Sequence, residues 1–332
     1  MPIAIQDIRA AAARLAPVVR RTPLLHSPFL DQIAGRRVYV KAECLQHTGS
    51  FKFRGAWSAL SALDPANRAA GVIAFSSGNH AQGVALAARM HGADAVIVMP
   101  SDAPAMKIEN TRALGAEVVL YDRDTEDRDE IGTRLATERG LTLIKPFDNP
   151  MVIAGQGSTG LEIAAQLERI DAHPDEVLVC CGGGGLTSGI ALALADARPE
   201  ITVRPVEPQG FDDVTRSLMS GRIETNHRTS GSLCDAIITP RAGDLTFPIL
   251  RKHCGAGIVV TDDEALHAVA LAWARLKIVV EPGGAVALAA ALFHGDKLSG
   301  DDVVAVATGG NVDQDIFVRA LELPAFHSSM TL

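Results

Sequence analysis

The chain has 332 residues, 47% of them apolar and 21% charged, with a formal net charge of −8. This composition excludes a disordered or fibrous chain, and the length leaves room for about two domains with a large buried core. An acidic chain with no basic run and only 4% aromatics matches neither a nucleic acid nor an anionic membrane surface.

The opening MPIAIQDIRAAAARLA has no basic segment leading into an apolar run, so it does not read as a signal peptide. No uncharged apolar stretch reaches the ~18 residues that a membrane span needs. Cys44, Cys180, Cys181, Cys234 and Cys254 are scattered and include no CxxC pair. They argue against a disulfide scaffold or a zinc site, and fit a reducing cytoplasm.

Further along, Gly49-Ser50-Phe51-Lys52-Phe53-Arg54-Gly55-Ala56 places a lysine between two aromatic rings near the start of a helix. Apolar surroundings depress a lysine pKa and suit it to Schiff-base chemistry. The runs Val72–Phe75, Ala95–Met99, Glu117–Tyr121 and Leu141–Ile144 are apolar on both faces, as buried parallel strands are. Helical segments Ala81–Met90, Pro104–Leu114 and Glu126–Arg139 lie between them and end at Gly92, Gly115 and Gly140. Successive βα units of this kind predict a doubly wound sheet. Ser76-Ser77-Gly78-Asn79-His80 follows the first of these strands, at the strand end where open α/β sheets bind ligands.

The alternation resumes with a strand Val177–Cys181, the loop Gly182-Gly183-Gly184-Gly185, and a helix Leu186–Ala195. Four glycines at a helix N-terminus let backbone N–H groups close around an anion. The loop fits neither GxGxxG nor the phosphate loop ending in GK[ST]. Strands Thr202–Val206, Ile258–Val260 and Val303–Ala307 complete the pattern. Thr261 with Glu264 forms a capping box, and Leu266, Val269, Ala270 and Trp273 read as one buried helical stripe. Thr308-Gly309-Gly310-Asn311 is another loop after a strand, where a threonine hydroxyl can meet a ring nitrogen.

Taken together, SFKFRGA, SSGNHAQG, the glycine tetrad with Leu186, and TGGNVD resemble the fold-type II pyridoxal-phosphate enzymes, in the branch of serine/threonine dehydratases and serine racemases. The resemblance runs from about Ile8 to Val318. It implies two lobes, each an open, twisted, mostly parallel sheet flanked by helices, as in tryptophan synthase β. Residues 1–68 and 149–332 would form the large cofactor-binding lobe, and 69–148 a small inserted lobe that closes over substrate. Lys52 then corresponds to the Schiff-base lysine, with Phe51 beside the cofactor. Asn79 corresponds to the partner of its 3′ hydroxyl. Gly182, Gly183, Gly184, Gly185 and Leu186 match the phosphate cradle, and Thr308 the neutral partner of the pyridine nitrogen. Ser76, Ser77, Gly78 and His80 match the loop that holds the substrate carboxylate. Ser77 also matches the residue that faces substrate opposite the lysine in racemases.

Glu207-Pro208-Gln209-Gly210-Phe211-Asp212-Asp213 offers a carboxylate, a backbone carbonyl at Phe211 and a second carboxylate. Such an all-oxygen set suits Mg²⁺ or Ca²⁺, and its spacing resembles the cation site of serine racemases. Arg128 lies where that branch has an arginine at the active-site mouth, placed to meet a second carboxylate on a substrate such as 3-hydroxyaspartate. Leu233-Cys234-Asp235-Ala236-Ile237 and Glu281-Pro282-Gly283-Gly284-Ala285 depart from the usual patterns near the pocket. The chain stops at Leu332, so the long regulatory extension of biosynthetic threonine dehydratases, and isoleucine feedback with it, is not expected.

The implied activity is β-elimination of an L-3-hydroxy amino acid to a 2-oxo acid and ammonia, with serine or threonine as the first substrates considered. The rivals are serine racemisation, 3-hydroxyaspartate dehydration, and, outside this cofactor's chemistry, a glycine loop serving a dinucleotide or a regulatory phosphate. A cytoplasmic homodimer acting on a small amino acid is expected, with no nucleic-acid or membrane partner.

Overall fold

The computed structural model describes residues 3–76, 78–103, 105–122 and 125–323. In chain order the strands are β1 (Leu24–His26), β2 (Arg37–Ala42), β3 (Val72–Phe75), β4 (Ala95–Pro100), β5 (Glu117–Tyr121), β6 (Thr142–Leu143), β7 (Glu176–Cys180), β8 (Thr202–Pro208), β9 (Ile258–Val260) and β10 (Asp302–Ala307). One sheet has the order β1-β2-β10-β7-β8-β9 and the other β5-β4-β3-β6. Among these strands every pairing is parallel except the antiparallel edge pair β1 with β2. Helices form the crossovers that parallel strands require, giving the α/β class expected from the alternating pattern.

The centre of the larger sheet is β10, all six of whose residues are buried. Val304 sits opposite Tyr39 of β2 on one side and Val177 of β7 on the other. Such strands read as continuous apolar runs because helices cover both faces. The strand Glu117–Tyr121 behaves differently. It is the edge of the smaller sheet, where only Tyr121 is buried and Leu120 is 42% exposed. Trp273 is not part of a buried stripe. After the helix Asp262–Leu271 the backbone widens into a π turn, Ala272–Leu276, which shifts the register of the face and leaves Trp273 48% exposed.

The site-forming loops leave the carboxyl ends of the strands, where open α/β sheets bind ligands. β7 runs into the glycine loop, β10 into Thr308, and β3 into Ser76. The helix Lys52–Ala62, which starts at the candidate lysine, is fixed from behind by a buried ion cluster. Arg54 donates to both oxygens of Glu43 at 2.8 and 2.9 Å and to both of Glu162 at 2.8 and 2.9 Å. Lys41 donates to Glu162 at 2.6 Å, to Gln166 and to the Thr22 carbonyl. This ties the helix to β2, to the turn after it, and to the long helix Pro150–Arg169. Burial alone would raise the Glu43 pKa, but the charge and hydrogen bonds of Arg54 hold it below the usual carboxylate range.

Candidate active site

Lys52 is the first residue of its helix, and the loop before it is clasped by the loop after β10. The Phe51 N–H donates to the Thr308 carbonyl at 3.1 Å and the Gly310 N–H to the Gly49 carbonyl at 2.9 Å. The Phe51 ring centre lies 5.1 Å from Lys52 Nζ. Phe53 turns the other way, into the core against His47 and Trp57, so only one of the flanking rings meets the lysine. Burial pushes the Lys52 ammonium down to about 8, with the charge of Glu281 opposing the shift. Its amine reaches the Pro146 carbonyl at 3.4 Å, a weak bond that leaves Nζ ready to react.

Beside Nζ lies a cavity bordered by Phe51, Asn79, Phe147, the glycine loop, Leu186 and Thr308. Gly184 adopts φ +88° as the N-cap of the helix Gly185–Ala197, a conformation that favours glycine. A Cβ on Gly183 would fall 2.4 Å from the Phe147 ring, so a side chain there would close the gap the cavity needs. Thr246 Oγ1 donates to the Gly183 carbonyl at 2.7 Å and holds the loop from outside. The open helix N-terminus is suited to an anion. Thr239 Oγ1 also borders the cavity, buried and with no hydrogen-bond partner among the described residues. A phosphate, with several acceptor oxygens, suits both features. Thr308 is 4% exposed and offers a hydroxyl, not a carboxylate, to whatever ring lies here.

Asn79 starts the helix Asn79–His91 and sits in a chain of side-chain amides and acids. Its Nδ2 donates to Glu281 Oε1 at 2.6 Å, and Asn311 Nδ2 donates to Asn79 Oδ1 at 2.6 Å. Glu281 is buried, and burial raises its carboxyl to about 7 against the hydrogen bond from Asn79. The motif around Glu281 is visible in the sequence, but its role is not, because its partner is 202 positions away. Phe147, Thr239 and Lys107 also escape sequence reasoning, since loop and single-helix positions carry no periodic signal.

The substrate-side loop is also assembled here. Ser76 Oγ accepts from the Gly78 N–H at 3.2 Å. His80 Nε2 donates to the Ile144 carbonyl at 2.8 Å, and burial together with the Lys52 charge pushes its pKa down to about 3, so it is neutral. Ser77 lies outside the described residues. Ser76, Gly78, His80 and Arg128 border the same larger cavity above Lys52. Arg128 begins the helix Arg128–Arg139 and is exposed.

The acidic motif after β8 forms a separate site. Both oxygens of Glu207 accept hydrogen bonds, from the Val214 N–H at 2.8 Å and from the Thr215 N–H at 2.7 Å and hydroxyl at 2.6 Å. Asp213 Oδ1 accepts from Asn226 Nδ2 at 2.6 Å, while its Oδ2 is buried without a partner among the described residues. Burial and the neighbouring Asp213 raise Glu207 to about 8, and burial raises Asp213 to about 6. Two buried carboxyls, one of them raised by the charge of the other, form a donor set that a hard divalent cation fits. No three His, Cys, Asp or Glu side chains among the described residues group as a metal site, so the Phe211 carbonyl and water would have to complete the shell.

A family model for pyridoxal-phosphate dependent enzymes matches residues 15–309. The chain is 45% identical over 316 residues to an L-threo-3-hydroxyaspartate ammonia-lyase from a Pseudomonas species, covering 95% of this chain and 98% of that protein. It is 41% identical to an L-threo-3-hydroxyaspartate ammonia-lyase from Saccharomyces cerevisiae, covering 92% and 93%. The solved structure of maize serine racemase superposes with a TM-score of 0.89 at 37% identity, covering 97% of this chain and 97% of that one.

Proposed function

The chain belongs to the pyridoxal-phosphate dependent enzyme family, and from that premise we propose that it is an ammonia-lyase for L-threo-3-hydroxyaspartate, releasing a 2-oxo dicarboxylate and ammonia. The observation that carries the substrate is the likeness, along nearly the whole chain, to proteins with that activity in their names. This replaces serine or threonine as the first substrates considered. The cavity above Lys52 offers it two further cations, Lys107 and Arg128, among the carboxylates of Asp102, Asp235, Asp313 and Glu281.

In this reading Lys52 holds the cofactor, and Phe51 packs beside it. The N–H groups of Gly182 to Leu186 bind its phosphate, Asn79 meets its 3′ oxygen, and Thr308 meets its ring nitrogen. When bound, pyridoxal phosphate supplies the electron sink for a substrate that loses its α-proton. Lys52 Nζ is the base that removes that proton, and the burial that lowers its pKa favours the neutral amine. Ser76, Ser77, Gly78 and His80 orient the α-carboxylate at the helix N-terminus. Ser77 also serves as the proton donor or acceptor on the face opposite Lys52. Arg128, at the exposed border of the cavity, adds positive charge where a distal carboxylate enters. Glu207, the Phe211 carbonyl and Asp213 hold Mg²⁺ or Ca²⁺, which acts on structure and not on the chemistry.

Residues 69–148 are the lobe that closes on substrate, against a body made of 1–68 and 149–332. The working form is a homodimer in a reducing cytoplasm. Two features support that setting: none of the five cysteines is in a disulfide, and the large apolar side chains Phe29, Trp273 and Val279 are each exposed. No helix among the described residues is long and apolar enough to cross a membrane.

The test is a substrate panel on the holoenzyme, reading 2-oxo acid and ammonia together. L-threo-3-hydroxyaspartate should exceed L-serine and L-threonine in kcat/KM by roughly tenfold or more, an advantage of the size that one charge-assisted contact supplies. Equal or better turnover of the monocarboxylic substrates would overturn the assignment.

A further inference from the structure

We infer that Lys107 is the specificity-determining cation for the second carboxylate of the substrate, an inference that rests on the hydroxyaspartate reading. Lys107 stands on the helix Ala105–Ala113, on the smaller sheet's side of the cleft, and its side chain is only 17% exposed. It borders the cavity above Lys52 and also the adjoining pocket that runs past Asp235, Glu281 and Asp313. Its ammonium already faces carboxylates from the other side of the cleft: Asp313 Oδ2 at 3.4 Å and Asp235 Oδ2 at 3.7 Å. Charge-assisted bonds close at about 2.7–2.9 Å, so the hydrogen bond to Asp313 is a long, weak one and the ion pair with Asp235 is longer still. An ammonium has three donors, and this one is positioned among carboxylate oxygens without being saturated by them.

A substrate with two carboxylates brings its distal one into a cavity already bordered by Glu281, Asp235 and Asp313. Without a cation that carboxylate would be both desolvated and repelled. Besides neutral His80, the basic side chains bordering this cavity among the described residues are Lys52, Lys107 and Arg128. Lys52 is committed to the cofactor and the α-proton. Arg128 is exposed, where water and salt weaken its attraction. Lys107 is the enclosed one, and an ion pair strengthens as the local dielectric falls. The distal carboxylate therefore takes the place of the two aspartates at Nζ. A monocarboxylic hydroxy amino acid leaves Lys107 with Asp313 and Asp235 and gains nothing from it.

The test compares wild type, Lys107→Gln and Lys107→Arg as holoenzymes on L-threo-3-hydroxyaspartate and L-serine. Lys107→Gln should lose about 100-fold in kcat/KM on the dicarboxylate, mostly through KM, while L-serine changes by less than about threefold. Lys107→Arg should recover part of the loss. An equal loss on both substrates would make Lys107 a structural clasp between the two sides of the cleft, and no loss on either would remove it from substrate binding; both results overturn the inference. A wild type without preference for the dicarboxylate would sink the substrate reading instead. In that case succinate as a competitive inhibitor decides Lys107 separately: unchanged inhibition of Lys107→Gln overturns the inference, and about tenfold weaker inhibition supports it.

Discussion

Two buried groups of carboxylates in this molecule have opposite electrostatic solutions. Glu43 and Glu162 face Arg54 and Lys41 through a closed set of hydrogen bonds, so two anions meet two cations inside the fold. Glu207 and Asp213 face each other with no cation in direct contact among the described residues, Asp213 keeps an unpartnered oxygen, and both carboxyls titrate high. The difference shows where the chain supplies its own counter-charge and where, among the described residues, it does not. The first cluster sits behind Lys52, on whose helix Arg54 lies two residues further on. The second lies beyond β8, apart from the residues that border the cavity beside Lys52.

Breaking the compensated cluster should have the largest effect. Arg54→Met leaves Glu43 and Glu162 to share Lys41 alone, and a buried charge without its own partner costs about 3–5 kcal/mol. The expected result is a large drop in the denaturation midpoint, with cofactor binding lost along with the fold. Arg54→Met with Glu43→Leu removes one charge of each sign and leaves the Lys41–Glu162 pair at 2.6 Å. The double variant should therefore recover most of the stability. A single variant as stable as wild type would mean that the cluster is not compensated in the way the geometry indicates.

The uncompensated cluster should respond to ions by a smaller amount. A cation at about 100 times its Kd adds about 2.7 kcal/mol, which appears as a rise in melting temperature of several degrees. Chelator should reverse the rise and lower activity with it. Asp213→Asn removes one of the two repelling charges, so it should stabilise the chelated protein and abolish the response to Mg²⁺ or Ca²⁺. Identical melting curves and activity with and without chelator in wild type would reduce the motif to a hydrogen-bonded acidic turn.

Sequence patterning and side-chain pairing were legible to different degrees, for a physical reason. β3, β5 and β9 stand at the residues their apolar runs indicate, and Thr261 and Glu264 form the capping box read from their spacing. These are local signals, set by alternation and by hydrogen bonds three residues apart. β2 carries no such signal: Arg37 and Lys41 interrupt its apolar run, yet Lys41 is fully buried. Its counter-ion Glu162 lies 121 positions away, and no local rule reaches that far. The glycine tetrad was readable because its cost in entropy demands a use. Glu281 and Lys107 were not, because their meaning depends on which loops the two sheets bring to one cleft.

Glu281 is the intermediate case between the two clusters, and it should give the smallest effect. It is buried, holds one hydrogen bond from Asn79, and feels Lys52 and Lys107 only at a distance. Its folded pKa, about 7, lies above the ordinary carboxyl value of 4.5. Between those two values the folded chain keeps a proton that the unfolded chain has released. The associated stability is complete below about pH 4.5 and is lost as pH rises through 7. Glu281→Gln keeps an oxygen for Asn79 to donate to and cannot ionise, so it should flatten this part of the pH dependence. The hydrogen bond from Asn79 and the distant lysines hold the effect to about 1–2 kcal/mol. The measurement is the melting temperature at pH 5 and pH 8 for both proteins. Wild type should lose more than the variant over that interval, by a few degrees. A parallel pair of curves would mean that Glu281 is already ionised at pH 5, and that the cleft compensates it as fully as Arg54 compensates Glu43.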